Sequence, residues 1–167
     1  MPDLMTFSFK TGGKWRTAAF WTILTLILDL GSKALAGHFL NPWEPLEVIP
    51  GFFNLILTYN TGAAFSLFSS DTGGSQGLKM AALSAISLLP FIYLFVKAKP
   101  GDRLLLTSVG LIWGGALGNI YDRLRWGAVV DFLDFYFGDT HWPAFNVADI
   151  AICVGAGLLV LSIIREK

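Results

Sequence analysis

Long apolar runs separated by polar connectors dominate this 167-residue chain. Four runs predict membrane-spanning helices, at about residues 17–36, 78–96, 104–121 and 144–164. A span needs roughly 20 mostly apolar residues. The first and fourth runs reach that length, and the second and third borrow flanking residues. Pro90 lies inside the second and predicts a kink, which bilayer helices tolerate. The first run follows Lys14 and Arg16 and precedes Ala34-Leu35-Ala36, the outline of a cleavable leader. Asp29 and Lys33 interrupt that outline and favour a retained span.

The connectors carry pattern too. Residues 37–77 form a first outer loop in which Phe52–Tyr59 is aromatic and β-branched, hence strand-like. Pro42, Pro45, Pro50 and Gly51 punctuate it, and Ser69–Gly77 reads as a turn region. This predicts a small sheet resting on the membrane surface. In the second outer loop, Val129-Val130-Asp131-Phe132-Leu133 sets an acid in an apolar run, and Asp134-Phe135-Tyr136-Phe137 continues it. The expectation there is an amphipathic segment on the outer surface. The predicted class is a membrane all-α protein with a small β element, one domain over residues 1–167.

Composition agrees and charge adds orientation. The chain is 54% hydrophobic and 14% charged, against about 25% charged in an average soluble domain. Net charge is zero, so no basic excess suggests nucleic acid. The lone Cys153 cannot form an intrachain disulfide. Lys10, Lys14, Arg16, Lys97, Lys99, Arg103, Arg165 and Lys167 place eight of twelve basic residues on one side of the predicted spans. That side is the cytoplasmic one, with both termini inside. Nine of the twelve acids fall at or near the outer face, a bias that orientation rules leave unexplained.

Some of the polar positions have plain structural readings. Gly110, Gly114 and Gly118 share one face of the third span, and Ala151 and Gly155 repeat the spacing on the fourth, which suits close helix packing. Asp29 and Lys33 are four apart and can pair, and the adjacent Asp122 and Arg123 can bond locally. Two patterns recur at the outer level, Asn119-Ile120-Tyr121-Asp122 closing span three and Asn146-Val147-Ala148-Asp149 opening span four. In each, Asn and Asp share a helix face. Asn146 and Asp149 also resemble a capping box, at a helix N-terminus that favours an anion.

Other chemistries fail on inventory. His38 and His141, both in predicted outer loops, have no partner at metal-ligand spacing, so no metal or other cofactor is expected. Cys153 has no base beside it, and no serine triad is signalled. Acids remain, and paired aspartates can share a proton and activate water. Intramembrane acids equally mark ion or proton pathways. On the residues alone, a peptidase-like enzyme and a small coupled transporter stand nearly level, and Asp122 is as eligible a partner for Asp149 as Asp131.

Five blocks break that tie. Asp29-Leu30-Gly31-Ser32-Lys33, Asn60-Thr61-Gly62-Ala63-Ala64-Phe65, Gly114–Arg123, Val129-Val130-Asp131-Phe132 and Pro143–Asp149 occur in the order found in lipoprotein signal peptidases. The chain resembles that family, signal peptidase II, over about residues 29–149. The resemblance implies a bacterial inner-membrane aspartic endopeptidase with a β-cradle in the first outer loop and a surface helix in the second. It implies cleavage of diacylglyceryl-modified prolipoproteins just before the lipidated cysteine, by a protein expected to act as a monomer among membrane lipids. It assigns Asp131 and Asp149 as catalytic. Asn60, Gly62, Asn119, Arg123 and Asn146 match substrate-site positions, and Asp29, Lys33, Asp122 and Ala148 match supporting ones.

Overall fold

The computed structural model describes residues 4–62 and 75–165. In chain order its elements are α1 (Leu4–Phe39), β1 (Leu46–Ile49), β2 (Phe53–Asn60), α2 (Ser75–Ser87), α3 (Leu89–Lys97), α4 (Arg103–Trp126), β3 (Val129–Phe137), β4 (Thr140–His141) and α5 (Val147–Arg165). Four helical stretches are long and apolar enough to cross a membrane: Gly13–Phe39, Gln76–Lys97, Arg103–Trp126 and Val147–Arg165. Each of the four predicted spans corresponds to one of these stretches, with ends displaced by a few residues. Helix α1 runs through Phe39, which puts His38 on a helix rather than in a loop. Helix α2 begins at Ser75, inside the expected turn region. Residues 63–74, with the rest of that region and Ala63-Ala64-Phe65, lie outside the described residues.

The second span is broken where Pro90 predicts. Helix α2 ends at Ser87, and α3 starts with Leu89 and Pro90 in its first turn. Proline has no N–H to donate there, and its ring crowds the preceding turn.

Helix α4 is the centre of the bundle. In its most apolar stretch 56% of residues are buried, against 17–22% in the other three spans, which turn most of their surface outward. Asp102 accepts a hydrogen bond from the Leu105 N–H at the α4 N-terminus, and Gly127 ends the helix at φ 73°. The predicted glycine face does pack closely. A Cβ on Gly110 would meet the Ala18 carbonyl at 2.7 Å, and one on Gly114 would meet the Thr25 Cβ at 2.6 Å, both on α1. Gly115 stands against the Ala148 carbonyl of α5 in the same way, at 2.5 Å.

At one end of the bundle sits a four-stranded antiparallel sheet in the order β1-β2-β3-β4. The strand expected near Phe52–Tyr59 is β2. The second loop departs from expectation, because residues 129–137 form strand β3 rather than a surface helix. The physical reason is pairing. Val, Phe and Tyr suit a pleated surface, and β3 finds a partner in β2, with Leu55 opposite Leu133, Thr58 opposite Asp131 and Asn60 opposite Val129. The register shifts between Leu55 and Thr58. One extra residue on β2 inverts its alternation there and puts Thr58 and Asn60 on the face of Asp131.

Candidate active site

Two elements converge at the sheet end of the bundle. Phe145 bridges to Leu133 in both directions, its N–H donating to the Leu133 carbonyl (3.1 Å) and its carbonyl accepting from the Leu133 N–H (2.9 Å). That bridge holds the start of α5 against β3, so Asn146 meets Asp131 and Asp149 lies near enough for its charge to act on Asp131. Asn146 is fully buried and Asp131 is 2% exposed.

Asn146 joins the two acids. Its Nδ2 donates to Asp131 Oδ1 (2.7 Å), and its Oδ1 accepts from the Asp149 N–H (3.0 Å). Asp149 Oδ2 accepts in return from the Asn146 N–H (3.2 Å), which completes the expected capping box. Asn119 forms a second link, with Nδ2 donating to Asp149 Oδ1 (2.9 Å) and Oδ1 accepting from Asn146 Nδ2 (3.2 Å). From the sheet, Asn60 Nδ2 donates to Asp131 Oδ2 (3.1 Å). The other end of the Asn60 amide, Oδ1, accepts from the Gly62 N–H (2.9 Å). Gly62 has φ +77°, and a Cβ there would lie 2.9 Å from Met80 Cε, so conformation and space both call for glycine.

Behind this layer lies a buried ion cluster. Lys33 Nζ donates to Asp29 Oδ2 (2.8 Å) and Asn119 Oδ1 (2.9 Å) and pairs with Asp122 Oδ2 (2.8 Å). Two hydrogen bonds and two ion pairs thus hold the buried ammonium. Each acid uses its remaining capacity on backbone. Asp122 Oδ2 accepts from the Val130 N–H (3.1 Å), and Asp29 Oδ1 accepts from the Ala148 N–H (2.9 Å). Val130 and Ala148 immediately precede Asp131 and Asp149. The expected Asp29–Lys33 pair is therefore present. Asp122 and Arg123 look to other partners, Lys33 and Val130 for the acid and Ser84 for the guanidinium.

Arg123 approaches from α4. Its Nη1 donates to Ser84 Oγ (3.2 Å), and its guanidinium interacts with the charges of Asp149, Asp131 and Asp122. Its Nε is buried without a hydrogen-bond partner among the described residues. Burial pushes the Asp131 carboxyl up to about 6, and the charge of Asp149 adds to this against hydrogen bonds from Asn60 and Asn146. A carboxyl in that range can hold or release a proton near neutrality.

Every sequence-predicted site residue reaches this one cluster. The sequence reading missed Ser84, which orients Arg123. A serine inside an apolar span was its available signal. Apart from this cluster, Asn54 and His141 bond the buried Asp134, which alternation puts on the other face of β3 (Asn54 Nδ2 at 3.0 Å, His141 Nδ1 at 2.9 Å). No group of three metal-ligating side chains occurs among the described residues.

Buried, linked aspartates thus sit at one end of a bundle of membrane-length helices, and solved structures of bacterial membrane enzymes share its fold. The fold aligns with one titled as a bacterial membrane enzyme structure by the in meso method at 1.9 Å resolution, with TM-score 0.76, 28% identity and coverage of 90% and 94% of the two chains. Residues 21–165 match the family model described as Signal peptidase (SPase) II. A lipoprotein signal peptidase of Francisella tularensis subsp. mediasiatica is 45% identical over 145 residues, covering 87% of this chain and 89% of that one. One from Coxiella burnetii is 43% identical over 158 residues, covering 95% and 94%. The chain belongs to the signal peptidase II family.

Proposed function

We propose that this protein is an aspartic endopeptidase that removes signal peptides from diacylglyceryl-modified prolipoproteins, cutting before the lipidated cysteine. The observation that carries the reading is the Asn146 link, through which one buried amide touches Asp131 and the backbone of Asp149 at once. Family membership supports the peptidase class and the lipoprotein substrate.

Asp131 and Asp149 hold one water between them. Asp149, on the first turn of α5 where an anion is favoured, takes a proton from that water. Asp131 is protonated and donates to the scissile carbonyl oxygen. Hydroxide adds to the carbonyl carbon and gives a gem-diol with no covalent enzyme intermediate. A proton then passes to the peptide nitrogen, the C–N bond breaks, and the signal peptide leaves with a new carboxylate. Each acid–base step is worth typically about 10²–10⁴-fold. Arg123 Nε is a free donor for the substrate backbone, with Asn60, Gly62, Asn119 and Asn146 completing the substrate site. Asp29, Lys33, Asp122 and Ala148 support it. The Lys and Arg distribution supports both termini in the cytoplasm and the site at the outer face. A lipidated substrate then enters sideways, with its acyl chains still in the bilayer.

The test is Asp131→Asn and Asp149→Asn, assayed separately on lipidated prolipoprotein in liposomes. Each should lose about 10²-fold or more of its activity, while an unlipidated precursor should be a poor substrate for the native enzyme. Substantial residual cleavage by either variant removes the pair from the mechanism. A folded but inactive Asp122→Asn alongside an active Asp131→Asn would transfer the role to Asp122.

A further inference from the structure

The sheet has a second face. Alternation along β2 and β3 turns Tyr59 and Val130, opposite one another, away from the face of Asp131 and Asn60. There they help close a cavity of about 500 Å³ between the sheet ends of α1 and α4. Leu30 and His38 line it from α1, and Tyr121, Arg125 and Trp126 line it from α4. Neither Asp131 nor Asp149 is among its lining residues. Lys33 and Asp122 form part of its wall, paired at 2.8 Å, and Lys33 also pairs with the buried Asp29 behind it.

The other charged lining residue, Arg125, is a cation. Among the described residues no carboxylate stands within ion-pair distance of Arg125. Its guanidinium donates to the Tyr121 hydroxyl and lies 4.7 Å from the Trp126 ring centroid. Most of its donors are thus left for a ligand. His38 adds an imidazole, which has an N–H donor even when neutral. Below the cavity, Ala34, Leu30, Ile27 and Ile23 follow one another at helical spacing on α1. Ile27 and Ile23 are 63% and 57% exposed, so an apolar track runs from the cavity along the spanning part of α1.

We propose that this cavity binds the phosphate headgroup of an anionic phospholipid, with Arg125 and His38 holding the phosphate and one acyl chain lying along Leu30, Ile27 and Ile23. Guanidinium matches phosphate oxygens in a bidentate fork. Cationic pockets between spanning helices take lipid headgroups, and Trp and Tyr favour the headgroup level. The apolar track is what favours a lipid over a free anion. Its assignment to the outer leaflet rests on the orientation proposed above, whereas the binding itself does not.

Native mass spectrometry of the purified protein tests this, with phosphatidylglycerol, phosphatidylcholine or inorganic phosphate added in separate arms. Phosphatidylglycerol should be retained in preference to phosphatidylcholine. Arg125→Gln should retain it about fivefold less, the effect of one cation facing an anionic headgroup. His38→Gln, an independent change on the other helix, should weaken it in the same direction. Lys97→Gln, at the opposite end of the bundle, should leave it unchanged. Unaltered phosphatidylglycerol retention in both cavity variants overturns the proposal, as does equal retention of phosphatidylcholine. Displacement of the lipid by inorganic phosphate also overturns it, in favour of a small-anion site. None of these readouts depends on peptidase activity.

Discussion

Asp131 comes from a strand and Asp149 from the first turn of a helix, and the two scaffolds treat a carboxylate differently. Asp131 is almost completely buried, receives side-chain amides from Asn60 and Asn146, and is pushed up to about 6. Asp149 is only half-buried and accepts one side-chain amide, from Asn119, beside a backbone N–H inside a capping box. Unlike environments for two acids of one kind are how a pair divides the acid and base roles. What the two share lies one residue upstream. Asp122 holds the N–H before Asp131, Asp29 holds the N–H before Asp149, and Lys33 ties both acids together. One buried lysine therefore sets a strand and a helix relative to each other.

Removing that shared element should have the largest effect on stability. Lys33→Met leaves Asp29 and Asp122 buried without their cation, at a cost of about 3–5 kcal/mol. Thermal unfolding in detergent should show a large fall in Tm. A Tm near that of the native protein would mean that the cluster does not hold the site together.

Next come the two halves separately. Asp122→Asn directly weakens the anchor before Asp131, and Asp29→Asn the one before Asp149. Each should cost about 1.5–3 kcal/mol, the range for hydrogen bonds to charged groups. Amide hydrogen exchange distinguishes them: Asp122→Asn should speed exchange at Val130 more than at Ala148, and Asp29→Asn the reverse. Equal acceleration at both amides would show that the anchors act as a single unit.

The smallest effect concerns protonation. With Asp131 carrying the shared proton, kcat/KM should fall as pH rises through about 6, because the carboxyl ionises above that point. Asn60 stabilises the charged form. Asn60→Ala should therefore move this limb to higher pH, by under about one unit. A shift to lower pH would mean that loss of the amide rehydrates the site and outweighs the lost hydrogen bond.

Much of this arrangement is legible in the sequence, because a bilayer imposes long apolar runs and makes each charge conspicuous. The four spans, the kink at Pro90, the glycine face of α4, the Asp29–Lys33 pair and the Asn146–Asp149 capping box all follow from local spacing. What spacing cannot reach is pairing between distant segments. Strand β3 is a strand because β2, some 70 residues earlier in the chain, lies beside it. Read alone, Val129–Phe137 also suits an amphipathic surface segment. The same limit hid the bulge that turns Asn60 toward Asp131 and the contact between Ser84 and Arg123, 39 residues apart. Asp122 and Asp131 could not be ranked from spacing either. The family motifs favoured Asp131, and in the fold the Asp122 carboxylate is occupied by Lys33 and Val130.

The central claim is that Asp131 and Asp149 act as one unit on a single water. The most direct test compares Asp131→Asn, Asp149→Asn and the double variant on lipidated substrate at one pH. Groups that work as a unit are strongly non-additive. The account predicts that the double variant is no slower than the slower single variant. A double variant whose loss equals the product of the two single losses would contradict it, because each aspartate would then be contributing independently.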